Sequence, residues 1–194
     1  MNSIDLTLIK DIILIIGSLT ATFFTLRSFN KWKKEHKGKL KYELSRNLLK
    51  SILDLRDDFG RVRSPLILAS EFSSKHHISE TKKSEQYQYV FQNRLKYLQE
   101  SYNTFLSFLP EVEIDYNSEM SKLCKELTRH VTHYNIKLNE FIQLVDNLDT
   151  FNNPYEKELN SIIFNNGDNN PTTDSFDKTV GKLKIQLTKE MKKY

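Results

Sequence analysis

Glycine, proline and cysteine are scarce in this chain: its 194 residues hold 5 Gly, 4 Pro and 1 Cys. Long stretches without glycine or proline argue against a turn-rich β sandwich and for long helices. A lone cysteine, Cys124, cannot close an internal disulfide, so the chain carries no sign of an oxidising compartment. Signature loops are missing too. The chain has no G-x-x-x-x-G-K-[ST] and no G-x-G-x-x-G to cradle phosphates, and no G-x-S-x-G elbow for a nucleophilic serine. Internal repeats and Pro- or Ser-rich linkers are also absent.

Aromatic residues and positive charge, by contrast, are plentiful. There are 12 Phe, 9 Tyr and 1 Trp, and the net charge is +4. That charge is uneven. Residues 27–63 hold 12 Lys/Arg against 5 Asp/Glu, whereas residues 64–194 hold 16 against 18. Basicity confined to one short stretch speaks against a nucleic-acid-binding domain.

The basic stretch follows the one long apolar run. Between Asp11 and Arg27 lie 15 uncharged residues, "IILIIGSLTATFFTL". As a helix they reach roughly 22 Å, and roughly 27 Å if Arg27 snorkels and the run extends over Ile12–Phe29, against about 30 Å of hydrocarbon. The run is apolar on all faces and Trp32 falls where an interfacial aromatic belongs, which predicts a transmembrane helix. A cleaved signal peptide fits less well, because Asp5, Lys10 and Asp11 leave its leading segment negative. Arg27, Lys31, Lys33, Lys34, Lys37, Lys39 and Lys41 follow the run. By the positive-inside rule they predict a single pass of a bacterial inner membrane, amino terminus out and body cytosolic. Arg27, Lys31, Trp32, Lys33 and Lys34 are then candidates for contact with anionic headgroups. Gly17 and Ala21 form a small-xxx-small pair through which spans could self-associate.

The rest of the chain is periodic. Leu40, Leu44, Leu48, Ile52, Leu55, Phe59 and Val62 step by 4, 4, 4, 3, 4 and 3, an amphipathic helix ending before Pro65. A second helix opens near Thr81, carries Tyr87, Phe91, Leu95, Leu98, Tyr102, Phe105 and Leu109, and ends at Pro110. Glu111, Glu113 and Asp115 then begin a third, with apolar positions from Met120 through Leu148. Asn153-Pro154 caps a short helix that Asn165-Asn166-Gly167 closes. Asp174 caps the last helix, with Phe176, Val180, Leu183, Leu187 and Met191 on one face. The predicted fold is all-α: an N-terminal transmembrane helix followed by an antiparallel bundle of about four main helices. It divides into an anchor at 1–30, a basic amphipathic helix at 31–63 and the remaining bundle at 64–194.

Chemistry-bearing clusters are few. His130 and His133 with Glu126 share one face of the third helix, but two imidazoles and a carboxylate need help from another helix to hold a metal. His76-His77 reads as a solvated pair. Asp54, Asp57 and Asp58 beside Arg56, Arg61 and Arg63 read as surface ion pairs such as Asp57–Arg61. Cys124 reads as a small half-buried residue. No catalytic residue, metal or cofactor is expected from these patterns.

The stretch "FNKWKKEHKGKLKYELSRNLLKSILDLRDDFGRVRSP" resembles a pattern in small bacterial single-span membrane proteins with a helical cytosolic tail. Trp32, Lys33, Leu44, Leu48, Arg56, Arg63, Ser64 and Pro65 carry the resemblance. Some of those proteins are encoded beside phage-defence genes, so it implies a membrane-acting effector or accessory component of defence. On this reading the chain is not an enzyme. Its partners are the lipid bilayer and either a second copy or a protein partner. The alternatives are a membrane scaffold recruiting a soluble partner and a metal-dependent helical-bundle enzyme.

Overall fold

The computed structural model describes residues 3–72, 82–147, 153–167 and 170–194. The side chains of 3–10, Ile12, Ile13 and Ile15 lie outside that description. Six α-helices are described: α1 (Ser3–Val62), α2 (Lys83–Ser107), α3 (Leu109–Asp115), α4 (Ser118–Leu144), α5 (Pro154–Ile163) and α6 (Pro171–Met191).

Four of these close a ring. α1 packs on α2 and α6, and α4 packs on both from the other side. Side-chain ties fix the directions. Arg63, at the end of α1, reaches Thr173 at the start of α6, and Lys41 pairs with Glu190 at the other end of α6, so the two helices run antiparallel. Thr179 bonds to Glu126 and His130 packs edge-on against Phe176, so α4 and α6 are antiparallel as well. The predicted stripes supply the core: Leu48, Ile52, Leu55, Phe59 and Val62 from α1, Phe91, Leu98 and Phe105 from α2, Met120 through Phe141 from α4, and Phe176, Val180, Leu183 and Leu187 from α6. Phe59 is the hub, stacked on Phe176 at 4.2 Å and edge-on to Tyr134 at 5.4 Å.

The boundaries differ from the sequence reading at three places, each for a local reason. Pro110 does not end the second helix. That helix stops at Ser107, and Pro110 sits in the first turn of α3, where its missing N–H costs nothing. Glu111, Glu113 and Asp115 therefore belong to α3, and α4 has its own cap, the Asn117 side chain accepting from Met120 N. The last helix is capped by Asn170, not Asp174, because Asn170 accepts from both Thr172 N and Thr173 N ahead of Pro171. Asn153 does cap α5, and Gly167, at φ 95°, occupies the left-handed region just beyond it. Leu148 and His76-His77 lie outside the described residues.

The largest correction concerns the N-terminal run. Among the described residues, no helix is long and apolar enough to cross a membrane. The predicted span begins with Ile12, Ile13 and Ile15, outside the described side chains. Its described part is short, bounded by Asp11 and Arg27, and interleaved with Gly17, Ser18, Thr20, Thr22 and Thr25. Without a span the lysines have nothing to orient. The transmembrane helix, the inner-membrane address with its outward amino terminus, and the lipid bilayer as partner are not supported. The run is instead the first half of α1, which continues through Gly38 as one unbroken helix. Leu40, expected in the core stripe, is 54 % exposed, so the bundle face of α1 starts at Leu44.

Candidate functional site

Two features stand out from the packed bundle. One is the half of α1 that leaves it. The C-terminal Tyr194 ring lies over Gly38 and marks the bundle's end. Residues 3–37 continue beyond that point for roughly 50 Å. The large apolar side chains described there, Leu14, Ile16, Leu19, Phe23, Phe24, Leu26, Phe29 and Trp32, are 56–65 % exposed.

The hydroxyls between them do not make this surface polar. Thr20 donates to Ile16 O, Thr22 to Ser18 O and Thr25 to Ala21 O, all at 2.8 Å, so their donors are satisfied within the helix. Gly17 and Ala21 are exposed, as are Arg27, Lys31, Trp32, Lys33 and Lys34. Trp32 stacks on His36 at 5.3 Å, and Lys31 makes a loose pair with Glu35 at 3.8 Å. All seven residues singled out from the sequence thus share one free helix. With no span described, the headgroup contact predicted for Arg27, Lys31, Trp32, Lys33 and Lys34 loses its basis.

The other feature is a pair of arginines at the opposite end of the bundle. Arg63 is 1 % exposed and has no carboxylate partner among the described residues. It donates to Ile162 O at 2.9 Å, Ser161 O at 3.0 Å, Asn170 Oδ1 at 3.0 Å and Thr173 Oγ1 at 2.7 Å. The first two are carbonyls from the last turn of α5, where the helix dipole is negative. Burial pulls the guanidinium down to about 10, against smaller opposing effects of Tyr134 and Asp177. Arg94, on α2, does the same work at the end of α1. It donates to Ser64 O and Leu66 O at 2.7 Å, and holds the Glu71 carboxylate through two bonds of 2.6 and 2.8 Å. Those bonds hold the Glu71 carboxyl below its ordinary range.

Arg63 was expected among surface charges. Its spacing of four from Phe59 is the signal that places it on the core face instead. Around it the ion pairs are Arg56–Asp57 at 2.8 Å and Arg61–Asp58 at 3.1 Å, rather than the expected Asp57–Arg61. Arg94 had no local signal at all: its partners lie 23 to 32 residues away along the chain.

The remaining clusters are structural. Among the described residues, no three His, Cys, Asp or Glu side chains gather closely enough to hold a metal ion. Glu126 accepts from Thr179, and burial lowers the pKa of His130. Cys124 is buried, which pushes its thiol up to about 12, far from a reactive thiolate. Lys137 and the Tyr155 hydroxyl both donate to Glu140 on the surface, joining α4 to α5.

Comparison with known proteins gives no relative: no family model, no curated protein and no solved structure matches this chain. The resemblance to single-span membrane proteins therefore finds no support. The membrane-acting effector role and the phage-defence context that it implied fall with it.

Proposed function

We propose that this chain is a non-enzymatic assembly protein, in which the bundle is a rigid base and the free half of α1 is the contact element for a second copy. The observation that carries this reading is the row from Leu14 to Trp32, eight large apolar side chains at 56–65 % exposure on one helix. Together they present on the order of 800 Å² of apolar surface, above the few hundred that monomers expose and close to one partner's share of a standard interface. A helix with large apolar side chains exposed on every side needs a partner that also offers them, and another copy of the same segment is one. Charge selects an antiparallel pairing. Side by side in parallel, Arg27, Lys31, Lys33 and Lys34 would face their own copies, whereas antiparallel they pass the other copy's Asp11 end. The two bundles then stand at opposite ends of the paired helices, free to recruit a protein partner.

Sedimentation of the full chain tests this. The wild type is expected to be a dimer at micromolar concentration. A variant carrying Leu19→Ser, Phe23→Ser and Phe24→Ser is expected to be a monomer of unchanged bundle stability. Ala21→Cys, near the centre of the contact, should cross-link to itself, while Trp32→Cys should not. A monomeric wild type, or flotation with lipid vesicles in place of dimerisation, overturns the reading.

A further inference from the structure

An open groove of about 790 Å³ runs between the last turns of α1 and the first half of α6. Two glycines line it, Gly60 on α1 and Gly181 on α6. Both lie within helices, where glycine is the poorest choice after proline. Close packing does not require them: a Cβ built on either meets nothing within 4 Å. Glycine at such a place leaves the backbone open to something that approaches it.

The charges lining the groove are unbalanced. Arg56, Arg61, Arg63 and Lys184 face Asp57 and Asp177, and with Asp58 beside Arg61 the surplus is one positive charge. Asp57 is taken by Arg56, and Arg61 pairs with Asp58, outside the groove. Lys184 has no ion pair among the described residues, and Arg63 is a buried guanidinium held only by neutral oxygens. Asn165 accepts from Thr173 through Oδ1, which leaves its amide N–H groups for the groove. A buried cation whose hydrogen bonds all go to neutral oxygens gains from an anion brought beside it in a partly desolvated cleft.

We infer that the groove between Gly60 and Gly181 binds a small phosphate-bearing anion, held by Arg61, Lys184 and the Asn165 amide over the buried Arg63. Several cations spread along an open cleft suit a multiply charged group better than a single carboxylate. The site lies at the opposite end of the bundle from the free helix and does not depend on the assembly reading.

Titration of the full chain with inorganic pyrophosphate, followed by calorimetry and thermal unfolding, tests the site. Pyrophosphate is expected to bind and to raise the melting temperature, with affinity falling as salt rises. Lys184→Gln should weaken it on the order of tenfold, the loss of one charge-assisted contact. Gly181→Leu should abolish binding while leaving the melting temperature of the free protein equal or higher, since it improves a helix and fills open space. Adenosine triphosphate in a parallel arm identifies the source of the phosphate. Tighter binding than pyrophosphate means a nucleotide, and equal binding a free oligophosphate. Absence of heat and of thermal shift with both ligands overturns the inference. So does binding that Lys184→Gln and Gly181→Leu leave untouched.

Discussion

The two halves of α1 are one continuous helix with opposite fates. Residues 44–62 carry apolar side chains at steps of three and four, and that stripe is buried against α2 and α6. Residues 14–32 are more apolar overall, yet the large side chains described there stay exposed. Apolar content alone does not bury a helix. A stripe one face wide lets three other stripes close a core around it, with polar residues left outside. A helix with large apolar side chains on every side has no single face to turn toward a core. Counting apolar residues predicts burial of the wrong half.

The same substitution is expected to act very differently on each half. Phe59→Ala removes a ring that is 2 % exposed, stacked on Phe176 and edge-on to Tyr134, and is expected to cost about 3–5 kcal/mol. Phe23→Ala removes a ring that is 61 % exposed and touches mainly Phe24, and is expected to change the stability of the bundle by less than about 0.5 kcal/mol. Urea unfolding at a concentration low enough to keep the chain monomeric measures both. Equal losses would mean that the free half is packed.

Much of the bundle was legible in the sequence, and the reasons are local. The α4 stripe from Met120 to Phe141 reads directly as a buried face because the helical period is set by the backbone. Asn153-Pro154 reads as a helix start because the cap needs only its own neighbours. Pro110 and Asp174 misled for the same reason in reverse: each has a local role that a competing neighbour, Ser107's helix end or Asn170, took over. The groove and the two arginines were not legible. Arg63 meets Thr173 across 110 positions of chain, and no window of sequence holds both.

Arg94 sharpens the comparison on a smaller scale, since it ties down the end of the packed half of α1 and nothing similar is described on the free half. Arg94→Gln loses two charge-assisted bonds to Glu71 and the contacts with Ser64 O and Leu66 O, and is expected to cost about 2 kcal/mol at neutral pH. The Glu71 share of that loss depends on pH. Its carboxyl is held below the ordinary range by Arg94, so it contributes stability that is complete above the unfolded-state pKa and disappears as pH falls through the folded one. The gap between wild type and Arg94→Gln should therefore narrow as pH drops below about 4. The urea midpoints of both proteins measured from pH 7 to pH 3 check this. A gap that stays constant on acidification would mean that the carbonyl contacts alone carry the effect of Arg94.

A small effect of opposite sign lies at the junction, where the two halves of α1 meet under Tyr194. A Cβ on Gly38 would come within 2.6 Å of the Tyr194 ring, too close for both to stay. The Tyr194 ring is 61 % exposed, so it can swing away at little cost. Against that loss stands the helix propensity of alanine, about 0.8–1.0 kcal/mol better than glycine in a helix interior. The balance for Gly38→Ala is a gain of roughly 0.5 kcal/mol, seen as a higher urea midpoint at unchanged slope. A loss of more than about 1 kcal/mol would show that the Tyr194 ring seals the bundle end. The division between packed and free halves would then be held by that one contact as well as by the change in apolar pattern.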